Sequence, residues 1–164
     1  MATVAEIFES MEYGPAPESD GPARAWLAAQ IEDTGLVRYH GNPGPVANPG
    51  CELPPDADDT ALVWRLAPRS EVSLRESARR TIERYRTDAG LYRVWLAPDD
   101  EYRCFYSKHS GRESNPVDVA VQMHVLLLFA RDDPAAARRL CDALGSRMTD
   151  ERIWVYYEVA PFIP

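Results

Sequence analysis

LPPDADDTALVWRL, from Leu53 to Leu66, decides how the chain is read. Pro54-Pro55 cannot enter a helix interior, so the chain turns there. Asp56 or Asp58 can then accept from a free N–H at a helix start, and Asp59 in the first turn complements the positive helix end. A helix over Thr60 to Ala67 follows, until Pro68 stops it. One cap needs one acid, and Asp56, Asp58 and Asp59 are three within four positions. Three carboxylates crowded into a partly buried place resist ionising together, so one holds its proton at neutral pH. The positive helix end works against this by lowering a carboxyl pKa, so burial has to prevail.

Working outward, Ser70 or Ser73 starts the next helix, with Leu74, Ala78, Ile82 and Tyr85 on one face. Thr87 to Pro98 reads as a turn followed by an extended piece, and Asp99 to Asn115 as a polar loop. Asn115-Pro116-Val117-Asp118 is a helix start with Asn as cap, and the helix to Arg131 is apolar nearly all round, which predicts a central position. Asp133-Pro134 starts another, with Ala137, Leu140 and Leu144 on its face and Gly145 at its end. The tail from Arg152 to Pro164 suits a strand or a short helix equally. Upstream, Ala2 to Met11 forms a short helix. Ser19 or Asp20 caps a second one, with Pro22 in its first turn and Ala23, Trp26, Leu27 and Ile31 as its stripe. The segment from Thr34 to Pro55 is rich in breakers and reads as a long loop. The expected fold class is all-α: about six helices stacked as helical hairpins in a single domain over 1–164. Within it, 1–32 carries the N-terminal helices, 33–55 the loop and 56–164 the repeats.

The 164 residues suit one core, and the net charge of -8 disfavours nucleic acid and anionic membrane surfaces. Arg79-Arg80 and Arg138-Arg139 read as solvated helix faces, with a diphosphate clamp as the sharper alternative. Cys51, Cys104 and Cys141 are far apart and odd in number, which suits free thiols in a reducing cytosol. His40, His109 and His124 show no ligand spacing, so no metal site is expected. The first fourteen residues carry three glutamates and no basic residue, unlike a signal peptide. The run from Val119 to Ala130 is too short to span a bilayer. A cytoplasmic protein is the expectation.

A carboxylic acid aimed into an apolar cavity can protonate a carbon–carbon double bond, and aromatic faces would stabilise the resulting cation. Trp26, Trp64, Tyr92, Trp95, Phe129, Trp154, Tyr156 and Tyr157 are the candidates, each of a kind that more often fills an ordinary core. His124, one turn from Val121 and Leu128, reads either as a core histidine or as a substrate contact. Capping alone accounts for Asp118.

Asp56 to Ala61 (DADDTA) resembles the DxDDTA motif of class II terpene cyclases, the proton-initiated members of the α/α-toroid superfamily. TDAGLYRVWLAP (Thr87–Pro98) looks like that superfamily's Gly-aromatic turns, and NPVDVAVQMHVLLLFA (Asn115–Ala130) like the start of one of its inner helices. The resemblance covers about half the chain. It implies part of an α/α-toroid and acid-initiated cyclisation or isomerisation of an isoprenoid. Asp58 would be the proton donor, with Asp56 and Asp59 orienting it and Trp64, Tyr92, Trp95, His124 and Trp154 about the substrate. No cofactor is implied, and Mg²⁺ would matter only for a diphosphate substrate. The chain is shorter than a full toroid, so an arc of helices closing as a homodimer is one expectation. A non-catalytic helical module binding an apolar ligand or a protein partner is the alternative. AEIFESMEYGPAPESDGPARAWL (Ala5–Leu27) is similar to the opening of a subgroup of duplicated aldehyde dehydrogenases, which implies a docking or packing segment and no activity.

Overall fold

The computed structural model describes residues 20–39, 53–98 and 115–147. Five helices occur among them: α1 (Asp20–Ala28), α2 (Ala57–Leu66), α3 (Val72–Arg84), α4 (Val119–Asp132) and α5 (Pro134–Gly145). The described part is all-helical, with isolated bridges in place of strands. The expected helix over Ala2 to Met11 and the tail from Arg152 to Pro164 lie outside the described residues.

Aspartates start three of these helices. Asp56, Asp118 and Asp133 cap α2, α4 and α5, each accepting from N–H groups in the first turn. α2 therefore begins three residues before Thr60, and Asp118 rather than Asn115 caps α4. Neither Ser70 nor Ser73 caps α3: Glu71 stands at its N-cap without a side-chain bond and pairs with Arg69. Asp133 closes α4 and opens α5, so these two helices turn directly into each other.

α2 is the most enclosed helix, packing chiefly against α4, which in turn packs on α5; α1 and α3 flank α2. The sequence pattern predicts the central place for α4, yet α4 leaves Met123 (42%) and Leu127 (48%) exposed. Its apolar residues exceed what its described neighbours cover, whereas Thr60, Ala61, Val63 and Trp64 are walled in on all sides. Leu27 and Ile31 of the predicted α1 stripe are buried, but Trp26 faces outward.

The start of the expected long loop is not a surface loop. Leu36 and Val37 are in the core, and residues 40–52 lie outside the described residues. Gly35 makes this possible by turning at φ 85° against the backbone of α3. A second extended piece, residues 91–97, threads the middle of the molecule. It pairs with Pro55 and Asp56 on one side and with Pro116 and Val117 on the other. Polar side chains finish what these short pairings leave open. Thr60 bonds both the N–H and C=O of Val37, Gln122 those of Tyr92, and Asn115 those of Trp95.

Candidate functional site

The acid cluster sits where α2 begins beside α4. Asp56 has extended backbone and pairs with Trp95, the flanking bonds running from Ala57 N to the Val94 carbonyl (2.8 Å) and from Leu96 N to the Pro55 carbonyl (2.9 Å). Asp56 is 2% exposed, and its carboxyl accepts from the Asp59 N–H at 2.8 Å. Burial pushes the Asp56 carboxyl well above the usual carboxylate range, and the charges of Asp59 and Asp58 add to this. Asp58 and Asp59 both stand in the first turn of the helix that Asp56 caps. Burial, followed by the charge of Asp58, pushes Asp59 up to about 6. Burial thus prevails over the helix end, as a proton-retaining cluster requires.

α4 contributes the other groups. Burial also raises Asp118, against the lowering effect of its bonds from Ala120 N and Val121 N, and the charge of Asp58 raises it further. Burial lowers His124, with Asp58 opposing and Arg65 assisting. The His124 Nδ1 is enclosed and has no hydrogen-bond partner among the described residues. Asp58, half-buried, is the member whose charge reaches both helices.

Of the residues expected at the site, the fold holds Asp56, Asp58 and Asp59 together at the start of α2, with Trp95 paired to Asp56 and His124 of α4 within reach of the Asp58 charge. Trp64 and Tyr92 are buried elsewhere in the core. The Trp64 Nε1–H donates to the Gly35 carbonyl at 2.7 Å. The Tyr92 hydroxyl donates to Glu83 at 2.9 Å, and its ring meets Phe129 edge-on at 5.6 Å. Trp154 lies outside the described residues, as do Tyr156, Tyr157, His40, His109, Cys51 and Cys104. No group of three His, Cys, Asp or Glu side chains among the described residues is arranged to hold a metal ion. No helix of the described residues is long and apolar enough to cross a membrane.

An open depression of about 620 Å³ lies on α3, lined by Ser77, Arg79, Arg80, Thr81, Glu83 and Arg84. Its arginines have partners within the protein: Arg79 with Asp133 (2.6 Å), Arg80 with Glu76 (3.5 Å) and Arg84 with Thr81 (2.9 Å). This describes a solvated, ion-paired face better than a clamp for a diphosphate. Asn115 and Gln122 were not expected near the site. The signal for Gln122 was an amide in an otherwise apolar run, which marks a buried polar group with a specific partner.

The raised carboxyls set the sign of the pH dependence. Asp59 has an ordinary value of 3.8 and a folded value of about 6, so between these the folded chain binds more protons than the unfolded one. Stability therefore falls as pH rises from about 4 to about 6, and Asp56 and Asp118 act in the same direction. His124 opposes them, since a lowered value costs stability as pH falls below its ordinary 6.5. Urea denaturation at pH 4.5 and pH 7 should show the protein more stable at the lower pH. Asp59→Asn should remove up to about 2 kcal/mol of that difference, the part of the Asp59 linkage that falls between these two pH values. A wild-type protein more stable at pH 7 would contradict the burial of these acids.

No family model matches the chain, and no solved structure matches it.

Proposed function

We propose that the protein is a class II terpene cyclase-like enzyme of α/α-toroid type that protonates an isoprenoid alkene or epoxide from the Asp56–Asp58–Asp59 cluster. The observation that carries this reading is the burial of Asp56 beside two further acids, which favours the protonated form of its carboxyl. Asp58, half-buried in the first turn of the helix that Asp56 caps, is the proposed donor. In the proposed step the alkene π pair forms the new C–H bond, and the O–H pair stays on the carboxylate. A second alkene of the same chain then attacks the cation, closing a ring. Loss of a proton or capture of water ends the sequence. His124 on α4 lies within reach of the Asp58 charge, and in this reading it offsets the carboxylate left behind.

The test is incubation of the full chain with squalene, oxidosqualene and geranylgeranyl diphosphate, the last with and without Mg²⁺. Cyclic products are sought by gas chromatography and mass spectrometry. One of the three should yield a product, and Asp58→Asn should lower the rate by roughly 10²–10⁴-fold, the usual worth of a positioned general acid. A folded wild-type protein that turns over none of them sinks the enzyme reading.

A second reading has its own support. Trp64 and Tyr92 are hydrogen-bonded within the core and offer no face to a substrate cation. On that reading the chain is a helical module for an apolar ligand or a protein partner, and the aspartates serve as caps. Asp58→Asn would then leave stability within about 1 kcal/mol and change no product.

A further inference from the structure

Asp56 and Trp95 form an antiparallel pair that exchanges no hydrogen bonds of its own, the bonds falling on Ala57 with Val94 and on Leu96 with Pro55. In such a pair the two Cα atoms come within about 4.5 Å and the side chains stand close on one side. Trp95 is itself buried, and the pairing sets its side chain on the same side as that of Asp56. This placement holds only while residue 95 keeps its register. Its N–H donates to Asn115 Oδ1 at 2.8 Å, and its carbonyl accepts from Asn115 Nδ2 at 2.9 Å. Asn115 is 3% exposed and thus does with one side chain what a neighbouring strand would do with its backbone. Removing the amide would take both of these bonds from the Trp95 backbone, at the residue paired with the acid.

We propose that Asn115 is a positioning residue for the Asp56 carboxyl, acting through its two-point grip on the Trp95 backbone. It rests on the functional reading above only in treating that carboxyl as part of a catalytic cluster. The groups whose charges act on the carboxyl are Asp58 and Asp59 of its own helix; Asp118 and His124, at the start of and on α4, feel the Asp58 charge, and Arg65 of α2 acts on His124.

The experiment follows the Asp56 carboxyl by ¹³C NMR across pH in the full chain, assigned with Asp56→Asn. Asn115→Ala should lower the Asp56 titration midpoint by about one pH unit or more, a tenfold loss of proton affinity, because water reaches the carboxyl. Asn115→Ser, whose hydroxyl can satisfy one of the two backbone groups, should shift it the same way by less, and it serves if the alanine variant does not fold. Thr87→Val removes a similar two-point contact, with Leu91, and should leave the Asp56 midpoint in place while also lowering stability. An unmoved Asp56 midpoint in folded Asn115→Ala or Asn115→Ser overturns the proposal, as does an equal shift in Thr87→Val. A protein without cyclase activity that shows the Asn115 shift would sink the enzyme reading and leave this one standing.

Discussion

Replacing Gln122 with leucine should remove about 4 kcal/mol of folding stability, a large part of what a domain of this size possesses. Gln122 is fully buried on α4. Its Oε1 accepts from the Tyr92 N–H at 2.7 Å, and its Nε2 donates to the Tyr92 carbonyl at 2.7 Å and to the Asp118 carbonyl at 3.1 Å. Leucine fills nearly the same volume, so the loss is not chiefly a cavity effect. Two backbone groups of Tyr92 would be stranded away from water, at roughly 1–3 kcal/mol each. Gln122→Glu refines the test. A protonated glutamic acid can still donate to the carbonyl and accept from the N–H, so that variant should recover stability as pH falls. Urea unfolding followed by circular dichroism reads all three proteins. Met123→Ala, on the exposed face one position along, should stay within about 0.5 kcal/mol. A Gln122→Leu loss no larger than this control would mean that the amide does not hold the Tyr92 backbone.

Gly35→Ala should cost about 3 kcal/mol, from two independent causes. Its φ of 85° is a conformation that an L side chain adopts only with strain. An added Cβ would also stand 2.3 Å from the Leu74 carbonyl oxygen and 3.3 Å from the Ala78 nitrogen, both backbone atoms of α3. Neither can rotate away as a side chain can, so the 32–37 segment would have to move. The Gly35 carbonyl also accepts the Trp64 indole N–H, so the movement reaches the centre of the core. Gly21, in the first turn of α1 with open space around its Cα, is the control: Gly21→Ala should be neutral or stabilise by up to about 1 kcal/mol. Equal thermal midpoints for the two alanine variants would rule out the close crossing of residue 35 over α3.

The helices were legible because their signals are local. Asp133-Pro134 at the start of α5, the apolar spacing of Ala137, Leu140 and Leu144, and the stop at Gly145 all act within a few residues of one another. The acid cluster was legible for the same reason, as its crowding is a property of four consecutive positions. Which carboxyl is buried was not. Asp58, the middle acid, stays half-buried and Asp56 is enclosed, because Asp56 is tied to Val94 and Trp95, nearly forty residues on in sequence.

Sequence by itself determined an all-α chain, the Asp-capped starts of α2 and α5, and the gathering of three acids at one helix end. Tertiary structure alone decided that Asn115 leaves the cap to Asp118 and grips Trp95, that Gln122 serves Tyr92, and that Thr60 serves Val37. The physical reason is a shortage of partners: among the described residues the extended segments buried between helices have only isolated bridges beside them, so their remaining N–H and C=O groups are satisfied by whichever polar side chains the packing brings within reach. That assignment depends on distances in space, which periodicity along a chain does not contain.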